Sequence, residues 1–259
     1  TLECVLGMQG FDTGHIRVLG FNPVELHKSR GRVVGIFDTP SLHPNLTVRQ
    51  NLEHARLLCA APVRASTEVE KLLDIERYSG FRIRHLSLGN RRRASIAQAL
   101  LGNPEMIVLD EPFNGLDAEG VEHVLDLIRM LNREEGTAFL LSSHQLPYLE
   151  QICTHMAILH RGTIPVSGAA EDLFRQQKVK LAIRCDQPAF AIQILAAAAL
   201  GEFTEQSGGL IEGILTDRDS ATVNRLLVEA GIAVFELMPG RASLASLFHT
   251  VTSESDNGS

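Results

Sequence analysis

Two carboxylates directly follow a continuous apolar run at residues 106–109, Met-Ile-Val-Leu. Such a run is typical of a strand buried on both faces of a parallel sheet, and α/β proteins bind ligands at the carboxyl ends of these strands. In a nucleotide site, Asp110 could hold Mg²⁺ through water, and Glu111 could orient or deprotonate an attacking water. A strand that ends in a charged turn would show the same pattern, so the pair alone does not decide the function.

A phosphate-compatible helix start lies upstream of the two carboxylates. Residues 86–90, Leu-Ser-Leu-Gly-Asn, open a helical pattern. The Ser87 hydroxyl, the bare Gly89 and the first backbone N–H groups of the helix would form an anion-binding terminus. Taken singly, Ser87 is explained as a helix cap.

Two polar motifs follow downstream. Residues 114–117, Asn-Gly-Leu-Asp, form a tight turn that ends in a carboxylate, and Ser-Ser-His at 142–144 places an imidazole just beyond a buried strand. Singly, Asp117 is explained as a helix cap and His144 as a loop residue. Together with the upstream motifs, in this order and spacing, they are a highly specific signal.

In this combination the chain resembles the nucleotide-binding subunits of ATP-binding-cassette (ABC) transporters over residues 1–175. The matching segments are the signature loop at 86–90, Walker B at 106–111, the D-loop at 114–117 and the switch histidine, His144. The resemblance implies a P-loop NTPase-like α/β cassette, with a mostly parallel sheet and a helical signature subdomain. It also implies two cassettes that sandwich ATP and Mg²⁺ head to tail.

The resemblance implies a role for each matching residue. Asp110 would be the Mg²⁺-associated carboxylate, Glu111 the general base and His144 the sensor of the γ-phosphate. The residues that would bind nucleotide from the signature and D-loop sides are Ser87, Leu88, Gly89, Asn90 and Asp117. Ser87 and Gly89 would contact the γ-phosphate of a nucleotide that is held mainly by the second cassette. Asp117 would link the two nucleotide sites.

The chain departs from the family pattern at its amino terminus. No Gly-x-x-x-x-Gly-Lys-[Ser/Thr] motif occurs in the sequence, and Thr1-Leu2 resembles the residues that follow this phosphate-binding loop. We expect an N-terminally truncated cassette, because a buried first strand is hard to delete from a parallel sheet. The alternative is a degenerate cassette that no longer hydrolyses ATP.

A second departure lies at residues 37–40, Phe-Asp-Thr-Pro, where cassettes usually place a Gln that contacts Mg²⁺ and the membrane partner. Asp38 keeps an oxygen ligand for Mg²⁺ but adds negative charge; the alternative is a simple loop acid. This segment, and Leu88 in place of the usual Gly, resemble the corresponding residues in the cassettes of exporters of peptide-antibiotic resistance and lantibiotic immunity. We expect residues 91–93, Arg-Arg-Arg, to form a solvated helix face, with phosphate or partner contact as the alternative.

The pattern of apolar residues predicts strands that alternate with helices, and hence a mostly parallel sheet. Strands are expected at 14–19, 32–37, 106–109 and 137–142, and helices at 48–59, 87–101 and 121–133. The predicted domains are the cassette at 1–175, a small C-terminal α+β domain at 178–252 and a tail at 253–259.

Composition restricts the partners. The net charge of −7 disfavours nucleic acid. The longest apolar stretch, 189–200, is too short to span a bilayer, and the amino terminus has no signal-peptide pattern. The four cysteines are far apart and imply neither a disulfide framework nor a zinc site. The cysteine pattern fits the reducing cytosol, and the resemblance implies a protein that is peripheral on the inner face of the membrane.

The leading hypothesis is the ATPase subunit of an exporter, coupled to separate transmembrane permease subunits. One alternative is the degenerate cassette acting as a partner-binding or regulatory subunit. A soluble cassette protein of translation or DNA repair is disfavoured, because such proteins usually carry tandem cassettes or coiled-coil insertions.

Overall fold

The computed structural model describes residues 1–38, 41–177, 179–215, 220–240 and 243–249, without the side chains of Gln176 and Val179. Contacts divide the chain into two compact units, Thr1–Ile152 and Cys153–Ser259. The domain ranges predicted from the sequence, 1–175 and 178–252, stay a prediction. The predicted tail at 253–259 lies outside the described residues.

A parallel sheet of three strands forms the centre of the first unit. Its order is β1 (Val33–Ile36), β2 (Met106–Asp110) and β3 (Ala138–Ser142). In the register, Val108 of β2 pairs with Gly35 on one side and Leu140 on the other. The apolar residues of β2 are buried, as expected for a central strand. The predicted parallel sheet is therefore confirmed.

The strand predicted at 14–19 does not form. Val18 makes only an isolated antiparallel bridge with Phe21, because the chain turns back at Leu19 and Gly20, both with positive φ. The turn chemistry of this segment thus outweighs its apolar pattern.

Several helices of the first unit pack against its sheet. Thr47 begins α2 with a capping box, in which Gln50 N donates to Thr47 Oγ1 at 3.1 Å and Thr47 N donates to Gln50 Oε1 at 2.9 Å. The apolar faces of α2, α4 and α5 share one buried cluster with the sheet. The helices are α1 (Leu2–Val5), α2 (Val48–Leu58), α3 (Ser66–Leu72), α4 (Leu88–Ala99), α5 (Ala118–Glu135) and α6 (Leu146–Ile152), with 3₁₀ turns at Pro23–Ser29, Glu76–Tyr78 and Ile83–His85.

An ion pair joins α2 to α3 in this unit. Arg49 donates from Nε to Glu70 Oε1 at 2.8 Å and from Nη2 to Glu70 Oε2, and Ser79 Oγ donates to the same carboxylate. The Glu70 side chain is 0% exposed, whereas that of Arg49 is 39% exposed. We call this contact the α2–α3 ion pair.

The second unit is built on antiparallel strands. A four-stranded sheet with the order β7-β8-β6-β9 shares a buried cluster with residues of α8 and α9, and a separate hairpin, β4–β5, precedes it. The elements are β4 (His155–His160), β5 (Thr163–Ala169), α7 (Ala170–Gln176), β6 (Val179–Cys185), α8 (Pro188–Ala197), β7 (Gly201–Glu205), β8 (Leu210–Leu215), α9 (Ser220–Glu229) and β9 (Val234–Pro239). Within the described parts of the chain, none of the helices has the length and apolar character needed to cross a bilayer.

Candidate functional site

The carboxyl ends of β2 and β3 lie side by side. Asp110, the last residue of β2, pairs in register with Ser142, the last residue of β3. Ser142 Oγ donates a hydrogen bond of 2.5 Å to Asp110 Oδ1. The neighbouring strand thereby orients one carboxylate oxygen of Asp110, because the parallel register places Ser142 beside it.

Glu111 and His144 form the next layer of this edge. Glu111 Oε1 lies 3.0 Å from His144 Nδ1 and accepts the His144 backbone N–H at 3.2 Å, while Oε2 accepts Ser143 Oγ at 3.1 Å. The His144 side chain is 71% exposed and that of Glu111 is 24% exposed. The carboxylate is therefore held by several donors, and the imidazole faces open space.

The backbone of Glu111 is held in an unusual conformation. Its φ is 49°, in the left-handed region that residues other than glycine rarely adopt. Its N–H donates to Ser142 O at 3.0 Å, and its carbonyl accepts from Asn114 N at 3.2 Å. Such conformations cost about 1–3 kcal/mol and cluster at functional sites, because the surrounding structure must enforce them.

Asp38 lies beyond the end of β1 and joins a second network. Its Oδ1 accepts hydrogen bonds from Arg92 Nη2 at 2.8 Å and from Asn114 Nδ2 at 3.2 Å. Asn114 Oδ1 in turn accepts Gln145 Nε2 at 3.2 Å. Of the predicted segment 37–40, residues 39 and 40 lie outside the described residues.

The expectation of a solvated Arg91–Arg93 face was wrong, because Arg92 and Arg93 are buried. Helix α4 turns the Arg92 side chain toward β1 and the residues that follow it. Arg93 Nη1 lies 3.6 Å from Asp74 Oδ2. Burial lowers the pKa of the Arg92 guanidinium, and the neighbouring carboxylate of Asp38 is the largest influence that opposes this decrease.

The signature segment and the turn at 114–117 pack against each other. Ser87 is the N-cap of α4, and its Oγ accepts from Asn90 N at 3.2 Å. A Cβ on Gly89 would lie 3.1 Å from Gly115 O, and a side chain on Gly115 would collide with Leu88. The two motifs therefore approach closely because each has a glycine at the contact.

Asp117 caps the following helix. Its Oδ1 accepts from Gly120 N at 2.9 Å at the start of α5. This capping bond accounts for one carboxylate oxygen of Asp117. The role that the resemblance gives to Asp117, linking two cassettes, stays a prediction.

The donor chemistry of this edge fits Mg²⁺ bound together with a substrate. Among the described residues, no group of three or more His, Cys, Asp or Glu side chains could hold a metal ion. Mg²⁺, however, usually keeps several waters and uses one or two protein carboxylates plus substrate phosphates. Asp110, at the end of the central strand, provides an oxygen of this kind.

The structure thus brings several of the predicted residues together. Glu111 lies with His144, while Leu88 and Gly89 lie at the 115–116 turn. Sequence reasoning did not select several residues that contact the predicted ones. These are Arg92, Asn114, Ser142, Ser143 and Gln145, all of which lie within or beside the recognised motifs. Arg92 belongs to the basic run at 91–93, but nothing in the sequence indicates its contact with Asp38.

Comparisons with known proteins agree with this geometry. The family model described as ABC transporter matches residues 1–114. The chain is 29% identical over 251 residues to the bacitracin transport ATP-binding protein BcrA of Bacillus licheniformis, covering 96% of this chain and 82% of that protein.

Solved structures show the same fold. A structure titled as the ATP-binding subunit of an ABC transporter matches with a TM-score of 0.59 and 27% identity, over 68% of this chain and 75% of that chain. A dimeric post-hydrolysis state of the ATP-binding cassette MJ0796, bound to ADP and Pi, matches with a TM-score of 0.59 and 22% identity, over 65% and 78%. With its sheet edge, signature helix and turn arranged as described, the chain has the fold of ABC transporter ATP-binding cassettes, and residues 1–114 match the model of that family.

Proposed function

We propose that this ABC transporter ATP-binding subunit hydrolyses ATP and drives an exporter through separate membrane subunits. The observation that carries the proposal is the geometry of Glu111, which directly follows β2. Its backbone is in the left-handed conformation, and its carboxylate contacts His144. A base must be held within hydrogen-bond reach of the water that it deprotonates. Hydrogen bonds from Ser143 Oγ and the His144 backbone N–H orient this carboxylate, which supports its assignment as the base.

The residues at the sheet edge would divide the work. Mg²⁺, when bound, would neutralise charge on the phosphates. Asp110, oriented by Ser142, would hold Mg²⁺ through water, and Glu111 would accept a proton from the attacking water at its carboxylate. His144 would donate from its exposed imidazole to the γ-phosphate.

The packing of the signature segment supports a site shared by two cassettes. The start of α4, with Ser87 and Gly89, presents backbone N–H groups at the positive end of a 12-residue helix. These groups would bind the γ-phosphate of a nucleotide held mainly by the second cassette. The partners of this protein would be that second cassette and transmembrane permease subunits. Binding to the permease subunits would place the protein on the cytoplasmic face of the membrane.

The direction of transport is inferred from the kind of cassette. Asp38 and Leu88 depart from the usual motif residues in the way that peptide-antibiotic exporters do. The relative from Bacillus licheniformis is named for bacitracin transport. Co-purification of a multispanning membrane protein with the subunit supports the proposal, and stable behaviour without such a partner contradicts it.

Replacing Glu111 tests hydrolysis directly. We expect Glu111→Gln to lower kcat for ATP hydrolysis about 10²–10⁴-fold, because the amide keeps the shape but cannot accept the proton. Binding of a fluorescent ATP analogue should stay close to that of the wild type. The matched control is Glu122→Gln on the exposed face of α5, which should leave kcat unchanged.

The outcomes separate the possible roles. An unchanged rate in Glu111→Gln removes this residue from the role of base. A wild-type protein, expressed from its complete gene with its membrane partner, that binds Mg-ATP without hydrolysing it contradicts the proposal and favours the non-hydrolysing cassette.

A further inference from the structure

Arg92 is an arginine inside the first unit, with only 1% of its side chain exposed. Proteins rarely bury a guanidinium fully unless its charge is compensated. The compensating carboxylates are those of the candidate site: Asp38 is the strongest, followed by Asp110 and Glu111. Arg92 is therefore the counter-charge of this acidic edge.

The hydrogen bonds of Arg92 all go to the two residues that follow β1. Nη1 donates to Phe37 O at 2.5 Å, and Nη2 donates to Asp38 O at 2.8 Å and to Asp38 Oδ1 at 2.8 Å. A planar guanidinium that satisfies two carbonyls and a carboxylate together fixes both the backbone and the side chain of Asp38. The Asp38 carboxylate itself is 54% exposed, so water alone would not hold it in one orientation.

Helix α4 carries the contact to the signature segment. Arg92 lies five residues after the N-cap Ser87, on the helix whose start contacts the turn at 115–116. Asp38 is also bonded to Asn114, which precedes the same turn. A displacement of α4 would thus move Asp38 through Arg92, without any intervening loop.

We propose that Arg92 is a positioning residue that fixes Asp38 and couples the signature helix to the carboxylate edge, an inference that rests on the hydrolysis proposed above. Asp38 then serves as an anchored part of the network rather than as a free Mg²⁺ ligand. Its negative charge at this position is tolerated because Arg92 is buried behind it.

The first measurement compares Arg92→Gln with Arg91→Gln in the protein expressed from its complete gene with its membrane partner. Arg91 is the neighbour on the same helix, and its Nε donates to Leu86 O, away from Asp38. We expect Arg92→Gln to lower kcat about 10–100-fold with KM for Mg-ATP within about twofold, because a displaced carboxylate edge affects the reacting geometry more than binding. Arg91→Gln should keep both constants within about twofold.

A second measurement needs no nucleotide. Amide hydrogen exchange in peptides that contain Phe37 and Asp38 should accelerate about tenfold or more in Arg92→Gln and stay unchanged in Arg91→Gln, because two carbonyls and the carboxylate lose their donor. If Arg92→Gln does not fold, Arg92→Lys takes its place. Lysine keeps the charge but not the planar fork, so a smaller change in the same direction is expected.

The results distinguish the inference from the function on which it rests. A wild type that hydrolyses ATP, with equal kcat and equal exchange in the Arg92 and Arg91 variants, overturns the positioning role alone. A wild type without hydrolysis overturns the proposed function, and the inference with it. Faster exchange together with a kcat equal to that of Arg91→Gln shows a purely structural contact and also overturns the inference.

Discussion

Two ion pairs of the first unit, the α2–α3 ion pair and the Arg92–Asp38 pair, bury opposite partners. In the α2–α3 ion pair the carboxylate of Glu70 is buried and the arginine reaches water, whereas in the Arg92–Asp38 pair the arginine is buried and the carboxylate reaches water. Removing the exposed partner of such a pair leaves the buried charge without its counter-charge, which is more costly than losing a surface contact. The comparison therefore predicts that removal of the exposed partner lowers the free energy of unfolding more when the buried group keeps fewer hydrogen bonds.

The largest effect is expected for Arg49→Ala. Glu70 would keep only the Ser79 hydroxyl among the donors described above, so its buried charge would be poorly compensated. We expect the free energy of unfolding to fall by about 3 kcal/mol, measured by urea denaturation. Arg56→Ala, on the same helix with an exposed partner, is the control. A loss in Arg49→Ala no greater than in this control would show that burial of Glu70 does not set the energy.

A smaller effect is expected for Asp38→Ala. Arg92 would still donate to the carbonyl oxygens of residues 37 and 38, and the charges of Asp110 and Glu111 would remain nearby. We expect a decrease of about 1–2 kcal/mol in the free energy of unfolding, measured in the same way. A decrease that exceeds that of Arg49→Ala would reverse the comparison.

The smallest effect is expected for an ion pair in which both partners are exposed. Arg129 and Asp126 lie 2.8 Å apart on α5, one turn from each other, with both side chains in solvent. Asp126→Ala should change the free energy of unfolding by at most about 0.5 kcal/mol, because it removes only this exposed pair and leaves the Arg129 hydrogen bond to Gln151 Oε1 in place. Raising the salt concentration should shrink even this difference, and a change above 1 kcal/mol would mean that exposure is a poor guide to the energy of these pairs.

Features that depend on neighbouring residues were predictable from the sequence. The apolar run before Asp110 forms the central strand, and Thr47 begins its helix with a side-chain cap. Ser87 and Asp117 cap helices as local chemistry suggests. Each of these outcomes depends on residues no more than about four positions apart, where steric and hydrogen-bonding preferences act directly.

Features that depend on distant residues were not predictable. Three consecutive arginines in a polar helix indicate a solvated face, and nothing close to Arg92 in the sequence shows that its partners are 54 and 55 residues away. Likewise, the contact between Glu111 and His144 arises because β2 and β3 are adjacent and parallel, over a separation of 33 residues. Only the resemblance to a known family could pair these residues in advance.

The contact between Leu88 and Gly115 constrains how the sequence can change. Gly115 has a φ of 74°, and any side chain there would meet Leu88, so backbone strain and a steric clash both disfavour its replacement. Leu88, in contrast, can become smaller while Gly115 stays. At this contact, therefore, position 88 of the signature segment can vary more readily than position 115, and libraries randomised at these two positions should recover more variation at 88 than at 115.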